Sequence, residues 1–179
     1  FVKGENYVVV CNQNSLMDVP VSTPFMPRAN KTIAKVSFSK VPVFGWVYKF
    51  GSVLVDRRSD QSRRQSYEEM KAVLAVGLDM LIYPEGTRNR TGDPLKSFYD
   101  GAFRLAVDTQ KRIIPTILFN SKNILPPSPS FCLLPGKIEM HFLPPIEVAG
   151  KTSKEVKEEV YDLMWNYYAK HQQLLEGRI

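Results

Sequence analysis

Three short stretches of the sequence combine polar, charged and glycine residues in patterns that could support chemistry on a phosphate-bearing substrate. In residues 12–18, an amide and a carboxylate lie five positions apart, at Gln13 and Asp18. Arg57 follows one apolar run, and the sequence Pro-Glu-Gly-Thr-Arg at 84–88 follows another. A guanidinium group at the end of a strand presents planar donors that suit phosphate oxygens. These stretches therefore predict binding of an anionic substrate.

The Pro-Glu-Gly-Thr-Arg stretch is the most specific of these patterns. Gly86 allows a close backbone turn, and Thr87 and Arg88 supply donors of the kind that bind phosphate. We expect Glu85 to orient these donors rather than to contact an anionic phosphate itself. The alternative explanation is an ordinary solvated turn at the end of a strand.

Alternating strand and helix patterns must position these residues. Short apolar runs bounded by turn residues predict buried strands at 7–11, 32–36, 52–55, 79–83 and 113–119, with one or two more within 136–148. Helices are predicted from Ser59 or Asp60 to Gly77, over 101–110, and from a capping box at Thr152 and Glu155 onwards. This alternation predicts a single α/β domain with a mixed, mostly parallel sheet flanked by helices.

Three segments have less regular patterns. Prolines at 20, 24 and 27 predict that any helix in residues 15–26 is short or broken. The aromatic segment 41–50 suits either a helix at the depth of lipid head groups or a helix packed in the core. Residues 126–129 are proline-rich and predict a loop that leaves the body of the domain.

The composition bounds the class of protein. With 179 residues, 44% of them hydrophobic, the chain is long enough for one domain with a substantial core. The formal net charge of +6 favours an anionic partner. Nucleic acid is not the predicted partner, because the basic residues are dispersed and no nucleic-acid-binding motif is present. Cys11 and Cys132 occur without a CxxC pair or a histidine cluster, so we expect buried thiols, no disulfide framework and no zinc site.

Four stretches resemble, in order and spacing, the sequence blocks of the 1-acyl-sn-glycerol-3-phosphate acyltransferase family. They lie at 12–18, 51–57, 83–88 and 113–116. The resemblance implies one acyltransferase domain over 1–179, and we expect an N-terminal membrane-anchoring segment to be missing from it. It also implies transfer of a fatty acyl group from acyl-CoA or acyl-carrier protein to the sn-2 hydroxyl of lysophosphatidic acid. The product is phosphatidic acid, an intermediate of phospholipid biosynthesis, and the reaction uses no metal or redox cofactor.

The resemblance also assigns roles to residues. The family has a histidine at position 13 that pairs with Asp18 and takes the proton of the acceptor hydroxyl. The acceptor phosphate is expected at Arg57, Arg88, Lys35, Thr87 and Gly86, with Glu85 and Ser15 in support. We further expect the turn 12–15 to offer backbone N–H donors to the oxyanion. Localisation at a membrane surface, on its cytoplasmic face, follows from the same resemblance.

Gln13 departs from the family pattern at the catalytic position. A glutamine amide is not a usable base, although it can donate a hydrogen bond towards Asp18. Three explanations stay open: deliberate replacement of the histidine, a natural non-catalytic relative, or another group that supplies the base. Neither His141 nor His171 is assumed to substitute. We predict binding without efficient turnover, and the alternatives are a lipid-binding or acyl-CoA-binding relative or an acyltransferase for another lyso-lipid.

Overall fold

The computed structural model describes residues 1–40, 44–126 and 133–176. The chain begins with β1 (Val8–Cys11), α1 (Asp18–Phe25) and β2 (Asn30–Lys35), followed by a short 3₁₀ helix (Val36–Lys40). It continues with α2 (Phe44–Gly51), β3 (Ser52–Val55), α3 (Asp60–Ala75), β4 (Asp79–Ile82) and α4 (Gly101–Thr109). The last elements are β5 (Ile113–Phe119), α5 (Ser121–Ile124), β6 (Glu139–Phe142) and α6 (Ser153–Glu176).

The six strands form one sheet in the order β3-β2-β4-β1-β5-β6. The first five strands are parallel, and β6 runs antiparallel to β5. The prediction of a mixed, mostly parallel sheet is therefore confirmed. Parallel strands end at the same edge of a sheet, so the loops that follow β1, β2, β3 and β4 meet at its carboxyl edge.

Alternation along β1 divides the core between the two faces of the sheet. Val8 and Val10 belong to the larger apolar cluster, which α3, α4 and α6 cover. Tyr7, Val9 and Cys11 point to the opposite face and pack in a smaller cluster. Successive strand side chains point to opposite faces, so a strand covered on both sides is apolar along its whole length. All residues of β1, β4 and β5 are buried for this reason.

The predicted helix ends are confirmed by their hydrogen bonds. The hydroxyl of Ser59 accepts a hydrogen bond from the backbone N–H of Ser62 and caps α3. Gly77 follows α3 with a φ of 86°, which glycine adopts without strain. At the start of α6, Thr152 and Glu155 each accept a hydrogen bond from the other's backbone N–H.

The structure describes some of the segments whose sequence patterns are less regular. The helix α1 is only eight residues long, as the prolines predicted: Pro20 lies in its first turn, where a proline loses no intrahelical bond, and Pro24 lies one residue before its end. Residues 136–148 form one strand, β6, and a single bridge between Ile146 and Ile113. Cys11 is buried as a free thiol, as predicted, whereas Cys132, residues 41–43 and residues 127–129 lie outside the described residues.

The aromatic residues of α2 do not pack as a core helix would. Trp46 and Phe50 expose 72% and 64% of their surface, whereas Tyr48 is half-buried and stacks on Phe38. Core packing is therefore wrong for Trp46 and Phe50. Within the described ranges, no helix combines the length and the apolar character that crossing a bilayer requires.

Candidate active site

The loops that follow β1 and β4 are joined directly to each other. The backbone N–H of Gln13 donates a hydrogen bond of 2.9 Å to Oε1 of Glu85. In the opposite direction, the N–H of Asn89 donates to the carbonyl oxygen of Gln13 at 2.6 Å. The two strands are neighbours in the sheet, with Val10 opposite Ile82. The first and third sequence blocks therefore form one structural unit at the carboxyl edge.

Glu85 is a buried acceptor within this unit. Its side chain is 1% exposed, and its second oxygen accepts a hydrogen bond from the backbone N–H of Lys96 at 3.2 Å. Burial raises the pKa of Glu85 to about 7, and the two backbone N–H donors partly offset that rise. Glu85 thus holds the backbone of Gln13 and Lys96. The sequence predicts instead that Glu85 orients Thr87 and Arg88. Its two observed hydrogen bonds go to other residues, which lie outside the local pattern.

Asp18 lies fully buried at the first position of α1. Its Oδ2 accepts hydrogen bonds from the backbone N–H groups of Asn14 at 2.5 Å and Ser15 at 2.7 Å. Burial raises the pKa of Asp18 to about 6, opposed by the nearby Ser121 hydroxyl, by these two donors and by the charge of Arg88. The Ser121 hydroxyl lies near enough to oppose this rise, but its Oγ and Oδ1 of Asp18 both lack a hydrogen-bond partner among the described residues.

The unpartnered oxygen of Asp18 bears on the glutamine at position 13. The sequence allowed the Gln13 amide to donate a hydrogen bond to Asp18, but no such bond forms in the described part of the chain. A buried carboxylate oxygen without a donor is costly. Gln13 therefore does not relieve this cost in the structure.

The expected oxyanion donors in the turn 12–15 are already in use. The N–H groups of Gln13, Asn14 and Ser15 all donate to buried carboxylates, those of Glu85 and Asp18. The expectation that these three groups face an oxyanion is therefore wrong. The physical reason is that the buried carboxylates of Glu85 and Asp18 accept these hydrogen bonds within the fold.

The side chains of Ser15 and Asn12 form hydrogen bonds with the protein backbone. The Ser15 hydroxyl donates to the carbonyl of Leu125 at 3.4 Å and accepts from the N–H of Met17 at 3.3 Å. The Asn12 amide makes paired hydrogen bonds of 3.1 and 2.7 Å with the backbone of Leu118 on β5. The role of Asn12 was missed from the sequence, because it depends on β5 being adjacent to β1.

The predicted phosphate-binding residues lie along the same edge. Arg57 donates from Nη1 to the carbonyl oxygen of Gly86, which joins the second block to the third. Lys35 ends β2 and pairs in register with Val55, two residues before Arg57. Arg88 is half-buried and its charge acts on Asp18, while Thr87 is exposed. These placements agree with a phosphate site, and the individual roles stay predictions.

Gly86 is required by its contacts as well as by its backbone. Its φ is 67°, in the left-handed region, and an added Cβ would lie 2.7 Å from the Tyr99 ring. The same Cβ would lie 3.4 Å from Nη1 of Arg57. Tyr99 is itself held by a hydrogen bond of 2.8 Å from its N–H to the carbonyl of Pro84. Glycine therefore lets the ring and the guanidinium pack against this turn.

A cavity of about 1070 Å³ opens beside this phosphate edge, between α3, α4 and the ends of β3 and β4. Its wall includes Arg57 and Gly86 together with three further arginines on the two helices: Arg63, Arg64 and Arg104. Gln13 and Asp18 do not line it. These helix arginines were not grouped with Arg57 from the sequence, because the grouping requires α3 to pack against both β3 and α4.

The Asp18 turn and the arginine-bearing Glu85–Arg88 turn meet at the carboxyl edge of a mostly parallel α/β sheet, which is where ligands of such sheets bind. The family model described as acyltransferase matches residues 1–118. The chain belongs to that family.

Individual relatives support the same assignment. A 1-acyl-sn-glycerol-3-phosphate acyltransferase from Cocos nucifera is 27% identical over 166 residues, covering 92% of this chain and 53% of the relative. The alpha form from Mus musculus is 29% identical over 158 residues, 87% of this chain and 55% of the relative. The crystal structure of the 1-acyl-sn-glycerophosphate acyltransferase PlsC from Thermotoga maritima superposes with a TM-score of 0.78 at 25% identity, over 96% of this chain and 68% of that one. The chain spans about half the length of these curated relatives.

Proposed function

We propose that this domain is built for transfer of a fatty acyl group to the sn-2 hydroxyl of 1-acylglycerol-3-phosphate, and that Gln13 leaves it with little turnover. The donor is acyl-CoA or acyl-carrier protein, and the product is phosphatidic acid for phospholipid biosynthesis. The observation that carries the proposal is a continuous set of contacts: Arg57 bonds to Gly86, and the adjacent Glu85 bonds to Gln13. These hydrogen bonds would thus fix the position of a phosphate at Arg57 relative to residue 13 and Asp18.

The reaction needs a proton acceptor at position 13. The acceptor hydroxyl oxygen attacks the thioester carbonyl carbon, the hydroxyl proton passes to a base, and the sulfur leaves and is protonated. A histidine at 13 would donate one ring N–H to Oδ1 of Asp18 and keep the other nitrogen for the proton. The amide of Gln13 has no basic nitrogen and so does not perform this step.

Positioning and electrostatics supply the rest of the proposed chemistry. Thioester attack calls for a base, an oriented acceptor and stabilisation of the oxyanion, and none of these steps changes an oxidation state. Since the N–H groups of the turn 12–15 are bonded to carboxylates, we assign oxyanion stabilisation to a cation at the same edge. Arg88 is the candidate, because its charge already acts on Asp18.

A membrane surface is the proposed source of the lipid acceptor, reached from the cytoplasmic face. The supporting observation is α2, where Trp46 and Phe50 are exposed and Lys49 is exposed beside them. Aromatic rings next to a lysine suit the interface between head groups and acyl chains. The fraction of protein that sediments with phosphatidic acid vesicles should fall when Trp46 and Phe50 are both changed to alanine. It should not change in the control Val76→Ala, which removes an exposed apolar side chain at the end of α3.

A second candidate function is a non-catalytic protein that binds lysophosphatidate or acyl-CoA, and Gln13 favours it. The two are separated by measuring release of coenzyme A from acyl-CoA plus lysophosphatidate, together with binding of each substrate. Binding with turnover restored by Gln13→His supports the disabled enzyme. Binding without turnover in either form supports the binding protein. Lysophosphatidylcholine and other lyso-lipids in the same assay test whether the acceptor is lysophosphatidate.

A further inference from the structure

The two histidines of the chain meet in the folded structure, away from the Gln13 and Asp18 pair. His141 lies on β6 and His171 on the C-terminal half of α6, and the sequence contains no other histidine. Glu139 lies beside them on β6. One ligand atom from each of the three side chains lies within 4.8 Å of the other two, and all three side chains are half-buried. We propose that these residues bind a divalent transition-metal ion, with Zn²⁺ as the preferred ion.

The spacing of the three ligand atoms is close to that of a tetrahedral zinc site. Zinc bonds of about 2.0–2.1 Å to nitrogen and oxygen put neighbouring ligand atoms roughly 3.3 Å apart. Nε2 of His141 and Oε2 of Glu139 are already 3.0 Å apart. One ligand atom from each side chain lies at most 4.8 Å from the other two, so each pair needs to close by about 1.5 Å at most to reach that spacing. Side-chain rotation supplies such a movement.

The surroundings of His141 suit a metal ligand. Its Nδ1 lies 2.9 Å from the hydroxyl oxygen of Tyr167. When an ion replaces the proton between Nε2 and Glu139, the Tyr167 oxygen accepts a hydrogen bond from Nδ1–H. Ligating histidines almost always donate their second ring N–H in this way, which fixes the ring and its tautomer.

The ring of His171 is held in place by aromatic neighbours. It stacks on Tyr167 with an interplanar angle of 10° and lies 4.9 Å from the Phe119 ring, centroid to centroid. The rings of His141 and His171 are 4.7 Å apart and nearly perpendicular. The ligands are therefore partly preorganised, which reduces the entropy lost on binding an ion.

Charge around the cluster leaves one carboxylate oxygen for the ion. Lys137 pairs with Oε1 of Glu139 at 2.9 Å and is 81% exposed, whereas Oε2 faces His141. Glu139 and His141 expose 26% and 24% of their side chains, so water reaches the cluster. A set of two histidines and one glutamate with water as the fourth ligand is an established zinc coordination. The expectation of no zinc site rested on spacing along the chain, which does not show that β6 and α6 meet.

The proposed ion would fasten α6 to the sheet. Tyr168, next to Tyr167, packs its ring against Phe119, and the neighbouring Asn14 side chain partly offsets the rise in the pKa of Tyr168 that burial causes. A bound ion between β6 and α6 therefore stabilises the packing of α6 against β5. Thermal unfolding should shift upwards on addition of ZnCl₂.

The test uses the full chain without a polyhistidine tag. We expect calorimetry with ZnCl₂ to give one ion per chain, and the imidazole Cε1–Hε1 NMR signals of both histidines to shift together. The variant Tyr167→Phe should lower the affinity for Zn²⁺ by about 10- to 100-fold. The variants His141→Gln and His171→Gln should each lower this affinity further. Glu147→Gln, a matched exposed carboxylate outside the cluster, should bind as the parent chain does.

Three outcomes would overturn the proposal: no saturable Zn²⁺ binding, a shift of only one histidine signal, or binding that is unchanged in His171→Gln. The NMR measurement on the unsubstituted chain tests the zinc site even if a variant fails to fold. Neither readout depends on acyl transfer, so failure of this site and failure of the proposed function are distinguished.

Discussion

The backbone N–H of Gln13 and the buried carboxylate of Glu85 are joined by a hydrogen bond of 2.9 Å. This bond ties the turn after β1 to the turn after β4, and Arg57 is attached to the same unit through Gly86. The side of the site expected to bind the acceptor is therefore assembled in this chain. Position 13 carries an amide where the resemblance implies a base, and one oxygen of Asp18 has no partner among the described residues.

Glu85→Ala should destabilise the fold. The change leaves the N–H groups of Gln13 and Lys96 without their acceptor in a buried place. An unsatisfied buried donor costs about 1–3 kcal/mol, so for the two donors we expect a loss of about 2 to 6 kcal/mol in the free energy of unfolding, measured in urea. Glu158→Ala, at an exposed position on α6, is the control and should change it by less than about 0.5 kcal/mol. Equal effects of the two substitutions would contradict the bonded role of Glu85.

Stability should depend on pH through the two buried carboxyls. The pKa of Asp18 is raised from 3.8 to about 6, and the pKa of Glu85 from 4.5 to about 7. The folded state therefore keeps both protons to higher pH than the unfolded state does. Stability that is fully present below about pH 4 is lost as the pH rises through 6 and then 7. For Asp18 the loss is on the order of 3 kcal/mol.

The variant Asp18→Asn isolates this contribution. Asparagine does not ionise, and its amide oxygen can still accept from the N–H groups of Asn14 and Ser15. Urea unfolding from pH 4 to pH 8 should give a smaller fall in stability for the variant than for the parent chain. Parallel curves for the two proteins would show that Asp18 does not titrate differently on folding.

Gly86→Ala should disturb the turn that Arg57 contacts. The φ of 67° and the approach of a Cβ to 2.7 Å from the Tyr99 ring predict a loss of about 1–3 kcal/mol. Gly92→Ala is the matched control, because an added Cβ there meets nothing within 4 Å. Adding Tyr99→Ala to Gly86→Ala should recover the steric part of the loss. No recovery would mean that backbone strain alone accounts for it.

Arg57→Ala should weaken binding of lysophosphatidate. A hydrogen bond to a charged group contributes about 1.5–3 kcal/mol, which corresponds to about 10- to 100-fold in the dissociation constant. Arg58→Ala removes the same charge one position further on, at a residue that does not line the cavity, and should change binding less than about threefold. Calorimetry with a short-chain lysophosphatidate measures both. Equal losses would indicate general charge attraction rather than a site at Arg57.

The sequence predicted those parts of the fold that depend on local pattern. Continuous apolar runs at 7–11 and 113–119 identified the central strands, because a strand covered on both faces is apolar throughout. The link between Gln13 and Glu85 was not predictable, since it requires β4 to lie beside β1. The proximity of His141 to His171 was not predictable either, because it requires α6 to pack beside β6. Strand order and helix docking are long-range properties that local patterns do not encode.

The site was predicted as a set of residues but not as a set of bonds. Asp18 lies in the turn that follows β1, and Arg57 contacts Gly86 in the turn that follows β4, while the roles of these residues stay predictions. The oxyanion donors expected from the turn 12–15 were assigned wrongly, because a sequence does not reveal which N–H groups a buried carboxylate will occupy.

The central claim is that an assembled acyl-transfer site lacks only its base. The direct measurement is the rate of coenzyme A release from acyl-CoA and lysophosphatidate in Gln13→His and in the parent chain, under the same conditions. General base catalysis contributes about 10²- to 10⁴-fold, so we expect the histidine form to be at least 100-fold faster. Gln13→Asn, which keeps an amide, should stay as slow as the parent. Equal rates in the parent and in Gln13→His, with lysophosphatidate bound by both, would contradict the claim.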